Sequence, residues 1–193
     1  KLNKKNILIT FHPVTLEKNT SRKQFKELLS AINELDDTNF IFTKTNSDLN
    51  ASPINEMIDN YVNKNPLKSV GFKSLGQVNY LSALQHIDAV VGNSSSGLIE
   101  APSFKIGTIN IGDRQKGRIK AKSVIDSLPV KKNLKKSFKK IYSKKFQKIL
   151  NTVKNPYDKG KTSKKIIKVL KNAKIQNILK KTFYDIKFRL WKV

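Results

Sequence analysis

Short apolar runs alternate with longer stretches of helical spacing through the first 130 residues. Residues 6–10 (NILIT) predict a buried strand, with His12-Pro13-Val14-Thr15 as the loop that leaves it. Thr20 or Ser21 is placed to cap a helix in which Phe25, Leu28, Leu29, Ile32 and Leu35 share one face. Residues 39–43 (NFIFT) predict a second strand, and 54–62 a helix with Pro53 near its first turn. Residues 69–72 predict a brief third strand. A helix follows over 75–87, with Leu81, Leu84 and Ile87 inward and His86 as scaffold. Residues 89–92 predict a strand that stops at Asn93-Ser94-Ser95-Ser96-Gly97. A short helix over 98–104 and a strand over 108–111 complete this part.

Strands alternating with helices imply a parallel sheet covered on both faces, an α/β, Rossmann-like doubly wound domain. Ligands of such sheets sit beyond the C-terminal strand ends. The loops there are 12–15, 44–48, 93–97 and 112–118, and they hold most of the unusual polar chemistry of the chain. From Val130 lysines dominate, and Phe138, Ile141, Phe146, Ile149 and Leu150 recur as amphipathic helices require. Asn155-Pro156-Tyr157-Asp158-Lys159-Gly160 reads as a turn. Thr162 or Ser163 then caps a helix carrying Ile166, Ile167, Val169 and Leu170. Beyond it, Ile178, Leu179, Phe183, Ile186, Leu190 and Trp191 are close enough to form one helical stripe. The division predicted is a Rossmann-like domain over 1–172 and a basic amphipathic helical tail over 173–193.

Composition narrows the classes. No apolar run approaches the roughly 20 residues of a membrane span. The absence of cysteine excludes disulfides, thiolate zinc sites and cysteine nucleophiles, and fits a cytoplasmic setting. Two histidines leave little material for a histidine metal site, so no metal or cofactor is expected. The charged residues 1–6 run straight into a strand, unlike a signal peptide. Lysine at position 1, with Met57 the sole methionine, leads us to expect a piece of a longer chain. The net charge of +25 is unevenly spread: residues 1–110 carry 12 basic and 10 acidic side chains, residues 111–193 carry 27 and 4. Only four of the 39 basic residues are arginines, the residue on which phosphate and base readers lean. A solvated lysine face is therefore the first reading, and a polyanion surface the second.

Several loop residues carry candidate chemistry. The hydroxyls and backbone N–H groups around Ser94 and Ser95 suit phosphate oxygens, and equally a helix cap with a tight turn. No GxxxxGK[ST] pattern is present. Gly112-Asp113-Arg114-Gln115-Lys116-Gly117-Arg118 places two arginines and a lysine after a strand, an anion-wrapping loop or an exposed basic one. Glu100 could accept ribose hydroxyls or only favour its helix start. His12 could contact a phosphate or move a proton, or be structural. Asn46 and Asp48 suit a hydroxylated ligand or an Asx turn. No Ser-His-Asp triad or carboxylate pair stands out.

Together these segments resemble the C-terminal half of bacterial UDP-N-acetylglucosamine 2-epimerases, nearest to the hydrolysing branch of the sialic- and legionaminic-acid pathways. The resemblance rests on His12-Pro13-Val14-Thr15, Thr45-Asn46-Ser47-Asp48, Ser74-Leu75-Gly76, Asn155-Pro156-Tyr157 and above all GNSSSGLIEAPSFKIGTINIGDRQKGR over 92–118. It covers residues 6–170. It implies the nucleotide half of a GT-B fold, with UDP held here. His12 would act at the diphosphate, Ser94 and Ser95 at the phosphates, Arg114 beside the diphosphate, Glu100 at the ribose and Asn46 along the nucleotide pocket. The family expels UDP by anti elimination and then adds water, giving an N-acetylmannosamine-type sugar. Gly107 stands where the family usually has proline, a matter of loop rigidity on this reading. The proton-moving acids belong to an N-terminal domain that this chain does not contain. The partners expected are thus a UDP-sugar, that N-terminal domain and, optionally, a second copy in a homo-oligomer. The tail would dock on the missing domain or, as a second reading, on an anionic membrane surface. The competing classes are a GT-B glycosyltransferase and a basic nucleic-acid or membrane module, the former nucleic-acid role disfavoured by the few aromatic stacking platforms.

Overall fold

The computed structural model describes residues 4–14, 20–45, 51–176, 179–180 and 183. Thr15, Asn46, Asp48 and the tail positions Ile178, Ile186, Leu190 and Trp191 lie outside the described residues. The chain divides into two compact units, Lys1–Asp158 and Lys159–Val193.

The first unit is built on six parallel strands: β1 Lys5–Thr10, β2 Thr38–Thr43, β3 Ser69–Phe72, β4 Ala89–Gly92, β5 Gly107–Ile111 and β6 Val124–Ser127. Their order is β3-β2-β1-β4-β5-β6, the doubly wound order in which the chain reverses direction across the sheet between β1 and β4. The helices are α1 Ser21–Ile32, α2 Ala51–Lys64, α3 Gly76–Leu84, α4 Ser96–Ile99, α5 Lys131–Ile141 and α6 Lys144–Asn151. The period-2 alternation of each strand sorts its side chains between two cores. Ile7, Ile9, Phe11, Phe40, Phe42, Val91, Ile109 and Ile125 face a large cluster completed by α1, α2, α5 and α6. Leu8 and Val90 face a small cluster with Leu84, Ile87, Ala101 and Ile106.

Most predicted elements are present, with physical reasons for the differences. The helix predicted over 98–104 is broken at Glu100 into α4 and a 3-10 helix, Ala101–Phe104. Pro102 supplies no N–H and disfavours helical torsions at Ala101, so the α-helix cannot run through. The helix predicted over 75–87 ends at Leu84, leaving His86 exposed in the following turn. Strand β6 had no sequence signal of its own, since VIDS is short and half-polar. Thr20 is the N-cap residue of α1, but it is itself helical in torsion and its side chain accepts no capping hydrogen bond; Ser21 is the first residue of the helix. At Gly107 a Cβ would stand 2.6 Å from two Ile141 atoms and 3.2 Å from the Phe146 ring. The glycine there admits α5 and α6 onto β5, which is a packing requirement rather than one of loop rigidity.

The second unit contains α7, Thr162–Asn172. Its start is set by Lys161 in the left-handed conformation, and neither Thr162 nor Ser163 is the cap residue. Ile166, Ile167, Val169 and Leu170 lie on one side of its helical wheel and Lys164, Lys165, Lys168 and Lys171 on the other. Among the described residues, no helix is long and apolar enough to cross a membrane.

Candidate functional site

The crevice at a strand-order reversal is where open parallel sheets receive ligands, and here it lies at the C-terminal ends of β1 and β4. Thr10 pairs with Thr43 on one side and Gly92 on the other, and Gly92 with Asn110. Gly92 has φ +137°, and a Cβ there would lie 1.9 Å from the Thr10 carbonyl oxygen. Only glycine lets the two strands end in contact.

Asn93 then ties the two departing loops together. Its Oδ1 accepts from the His12 N–H at 2.7 Å, and its Nδ2 donates to the His12 carbonyl at 2.8 Å. This reciprocal pair fixes the His12 backbone as a strand partner would. The Asn93 carbonyl accepts from Arg114 Nη1 at 3.1 Å and from Gln115 Nε2 at 2.8 Å. Asn93 and Gln115 are both 1% exposed, so the bonds form in a desolvated setting where a missing partner is costly. One buried asparagine thus connects three loops that the sequence separates by up to a hundred residues.

Beside this hub opens a cleft of about 380 Å³. Thr10, His12, Thr43, Tyr80, Ser96 and Glu100 are among its lining, as are the basic residues Lys44 and Lys73. The Thr10 and Thr43 hydroxyls bond each other at 2.5 Å, closing the floor. Ser96 Oγ donates to the Tyr80 hydroxyl. Burial pushes the Tyr80 phenol up to about 12, opposed by the Ser96 hydrogen bond and aided by the Glu100 carboxylate. Tyr80 is therefore a neutral hydroxyl at physiological pH, able to hold a polar group but not to act as a base.

The residues singled out from sequence fall into two groups. His12 and Glu100 line the same cleft from different elements. Ser94, Ser95 and Arg114 gather at Asn93: the serines follow it in the chain, and Arg114 is bonded to its carbonyl while remaining solvent-exposed. Ser94 Oγ accepts the Ser96 N–H at 3.4 Å, so one hydroxyl already supports the start of α4. Asn46 lies outside the described residues. Sequence reasoning gave no role to Thr10, Thr43, Tyr80, Asn93 or Gln115. A signal existed for the threonines, which replace aliphatic residues at the last position of their strand faces. For Asn93 and Gln115 there was none, because their function is to bond backbone groups far away in sequence. Among the described residues, no group of three or more His, Asp or Glu side chains is placed to hold a metal ion.

Comparison with known proteins bears on the family and the fold. A relative from Campylobacter jejuni, named GDP/UDP-N,N'-diacetylbacillosamine 2-epimerase (hydrolyzing), is 47% identical over 127 residues, 66% of this chain and 33% of that protein. The polysialic acid biosynthesis protein P7 of Escherichia coli is 37% identical over 186 residues, 95% of this chain and 47% of that protein. The chain therefore spans between a third and a half of the length of these relatives. The S. aureus MnaA-UDP co-structure has the same fold, with a TM-score of 0.70 over 95% of this chain and 48% of that one at 18% identity. The model of the UDP-N-acetylglucosamine 2-epimerase family matches residues 1–171, and the chain belongs to that family.

Proposed function

We propose that this chain is the UDP-binding half of a hydrolysing 2-epimerase acting on UDP-N-acetylglucosamine or a diacetamido analogue. The observation that carries this reading is the Asn93 hub at the strand-order reversal, which ties His12, a residue of the cleft lining, to Arg114 and to the segment that carries Ser94 and Ser95. His12 acts at the diphosphate as the one catalytic candidate on this chain. Ser94, Ser95 and Arg114 receive phosphate oxygens, Glu100 the ribose hydroxyls, and Asn46 lines the nucleotide pocket. Elimination of UDP builds negative charge on the departing diphosphate, and preorganised hydroxyl and guanidinium donors stabilise that charge as it forms. Water then adds to the 2-acetamidoglucal to give an N-acetylmannosamine-type sugar. Such a cytoplasmic enzyme would serve the assembly of sialic- or legionaminic-type acids, in keeping with the polysialic acid role in the name of the E. coli relative.

Glu100 is the single carboxylate in the cleft lining among the described residues, and its assigned task is binding. The acids that move protons at the sugar then belong to an N-terminal domain beyond this chain, and the chain alone is inactive. Calorimetric or NMR titration with UDP and GDP tests the binding claim, both nucleotides being named for the C. jejuni relative. Half a cleft leaves the ligand partly solvated, so we expect a Kd on the order of 0.1–1 mM, or ~4–5.5 kcal/mol. No response to either nucleotide from a folded sample removes the reading. Arg114→Ala should weaken UDP by ~1.5–3 kcal/mol and leave uridine nearly unchanged, since a charge-assisted contact to phosphate is lost. Glu100→Ala should weaken both. Turnover of UDP-N-acetylglucosamine by this chain alone would refute the division of labour.

A further inference from the structure

The Asn155-Pro156-Tyr157 turn lines no part of the cleft, yet it bonds two of the segments to which nucleotide contacts are assigned, those of Glu100 and Arg114. Its own geometry is closed twice. Asn155 Oδ1 accepts the Tyr157 N–H at 2.9 Å, and the Asp158 N–H donates to the Asn155 carbonyl at 3.2 Å. Pro156 fixes the intervening torsion, so the turn is rigid without outside support.

From this turn two side chains reach outward. Asn155 Nδ2 donates to the Ile99 carbonyl and to Ser103 Oγ, each at 2.7 Å. Those acceptors flank Glu100, the residue at which α4 stops and the 3-10 helix begins. Two four-residue helices with a proline between their bonds have little internal rigidity, and Asn155 bridges the junction from outside. The Tyr157 hydroxyl donates to the Ile119 carbonyl at 2.9 Å. Ile119 directly follows the loop that carries Arg114 and Arg118. That loop begins at Gly112, whose N–H is held by the Ser127 carbonyl at 2.9 Å, and Tyr157 holds its far end. Sequence separations of 56, 52 and 38 residues mark these bonds as tertiary ties, not local turn chemistry.

We propose that Asn155-Pro156-Tyr157 is a positioning clamp for the nucleotide site, Asn155 setting the Glu100 junction and Tyr157 the Arg114 loop. Neither residue touches the ligand, and the clamp rests on the nucleotide reading given above. Its two arms predict separable effects, because Glu100 is assigned to ribose and Arg114 to the diphosphate.

The test uses the chain as it stands, with backbone amide exchange of the unliganded protein and titrations against UDP and uridine. In Tyr157→Phe, amides of residues 112–119 exchange faster and UDP affinity falls roughly three- to tenfold, as loss of one neutral hydrogen bond allows, while uridine holds. In Asn155→Ser, amides of residues 99–104 exchange faster, and UDP and uridine weaken together. A role confined to folding would instead lower the unfolding midpoint and leave the affinity of the folded chain for both ligands unchanged. Unchanged exchange in both segments overturns the clamp whatever the ligands do. Faster exchange with wild-type affinity for both ligands overturns it as well. A wild-type chain that binds neither ligand defeats the nucleotide reading and the clamp's role with it, whereas intact binding unaltered in both variants defeats the clamp alone.

Discussion

The two faces of the sheet are made from the same strands and end in opposite chemistry. Along β1 and just past its end, Ile7, Ile9 and Phe11 point to one face and stay apolar. On the other face Leu8 gives way to Thr10 and then His12. The neighbouring strands β2 and β4 repeat the gradient, Ile41 to Thr43 and Val90 to Gly92, while β5 is polar at both Thr108 and Asn110. The first face is covered by α1, α2, α5 and α6 along its length, and the second by α3 and α4 with a cleft left at its C-terminal rim. Stability is concentrated where the helices seal the sheet. Binding chemistry is concentrated where they do not.

That division is broken most severely from the sealed side. Phe138 of α5 is 2% exposed within the large cluster. Phe138→Ala should cost about 3–5 kcal/mol in denaturant unfolding, through lost transfer energy and a cavity. UDP affinity per folded molecule should not change. An affinity loss parallel to the stability loss would show the two faces to be one cooperative site.

The reverse case is Asn93→Ala on the open face. Removing the amide takes the Asn93 partner from the His12 N–H and carbonyl in a half-buried setting, for about 1–3 kcal/mol. The larger effect should be on UDP, with more than roughly tenfold weakening, since the His12 loop loses its tie. Destabilisation with full retention of UDP affinity would move the ligand site away from the hub. Comparable in stability to Asn93→Ala is Gly107→Ala, which drives a Cβ against Ile141 and Phe146 on the sealed face. We expect about 1–3 kcal/mol of destabilisation from overpacking and no change in UDP affinity.

The sealed face was the more legible in the sequence. Phe25, Leu28 and Ile32, or Phe138, Ile141 and Phe146, repeat at helical spacing because one continuous core demands it, and period is visible in a single chain. The order of the strands was not visible, since no residue of β6 announces its pairing with β5. The site was legible in part. His12, Glu100 and Arg114 stood out as polar chemistry at strand ends, and the cleft does join His12 to Glu100. Asn93 and Gln115 did not stand out, and Asn155 only as part of a turn motif, because an amide that bonds distant backbone looks in sequence like any loop amide. Tyr80 was hidden by its place on a helix read as amphipathic, where its apolar ring fits the pattern and its hydroxyl does not show.

The smallest effect is expected at the rim of the sealed face, where Glu34 of the turn after α1 meets two lysines of α5. Its carboxylate lies 2.6 Å from Lys131 Nζ and also pairs with Lys135. The hydrogen bonds from Lys131 and then Lys135 hold its carboxyl down to about 2, from an ordinary 4.5. A carboxyl lowered on folding contributes stability that is present above the unfolded value and is lost as pH falls through the folded one. The window is thus from about 4.5 down to about 2. All three side chains are 40% exposed or more, so water and salt screen the contribution. Unfolding midpoints of the wild type should fall slightly more steeply across this window than those of Glu34→Gln, at low salt and not at high salt. UDP affinity of the variant at neutral pH should match the wild type, as the cluster lies on the face away from the cleft. Superimposable pH profiles at low salt would assign the α1–α5 contact to packing and to the Glu27 carboxylate, which accepts the Lys131 N–H at 2.7 Å and closes the start of α5.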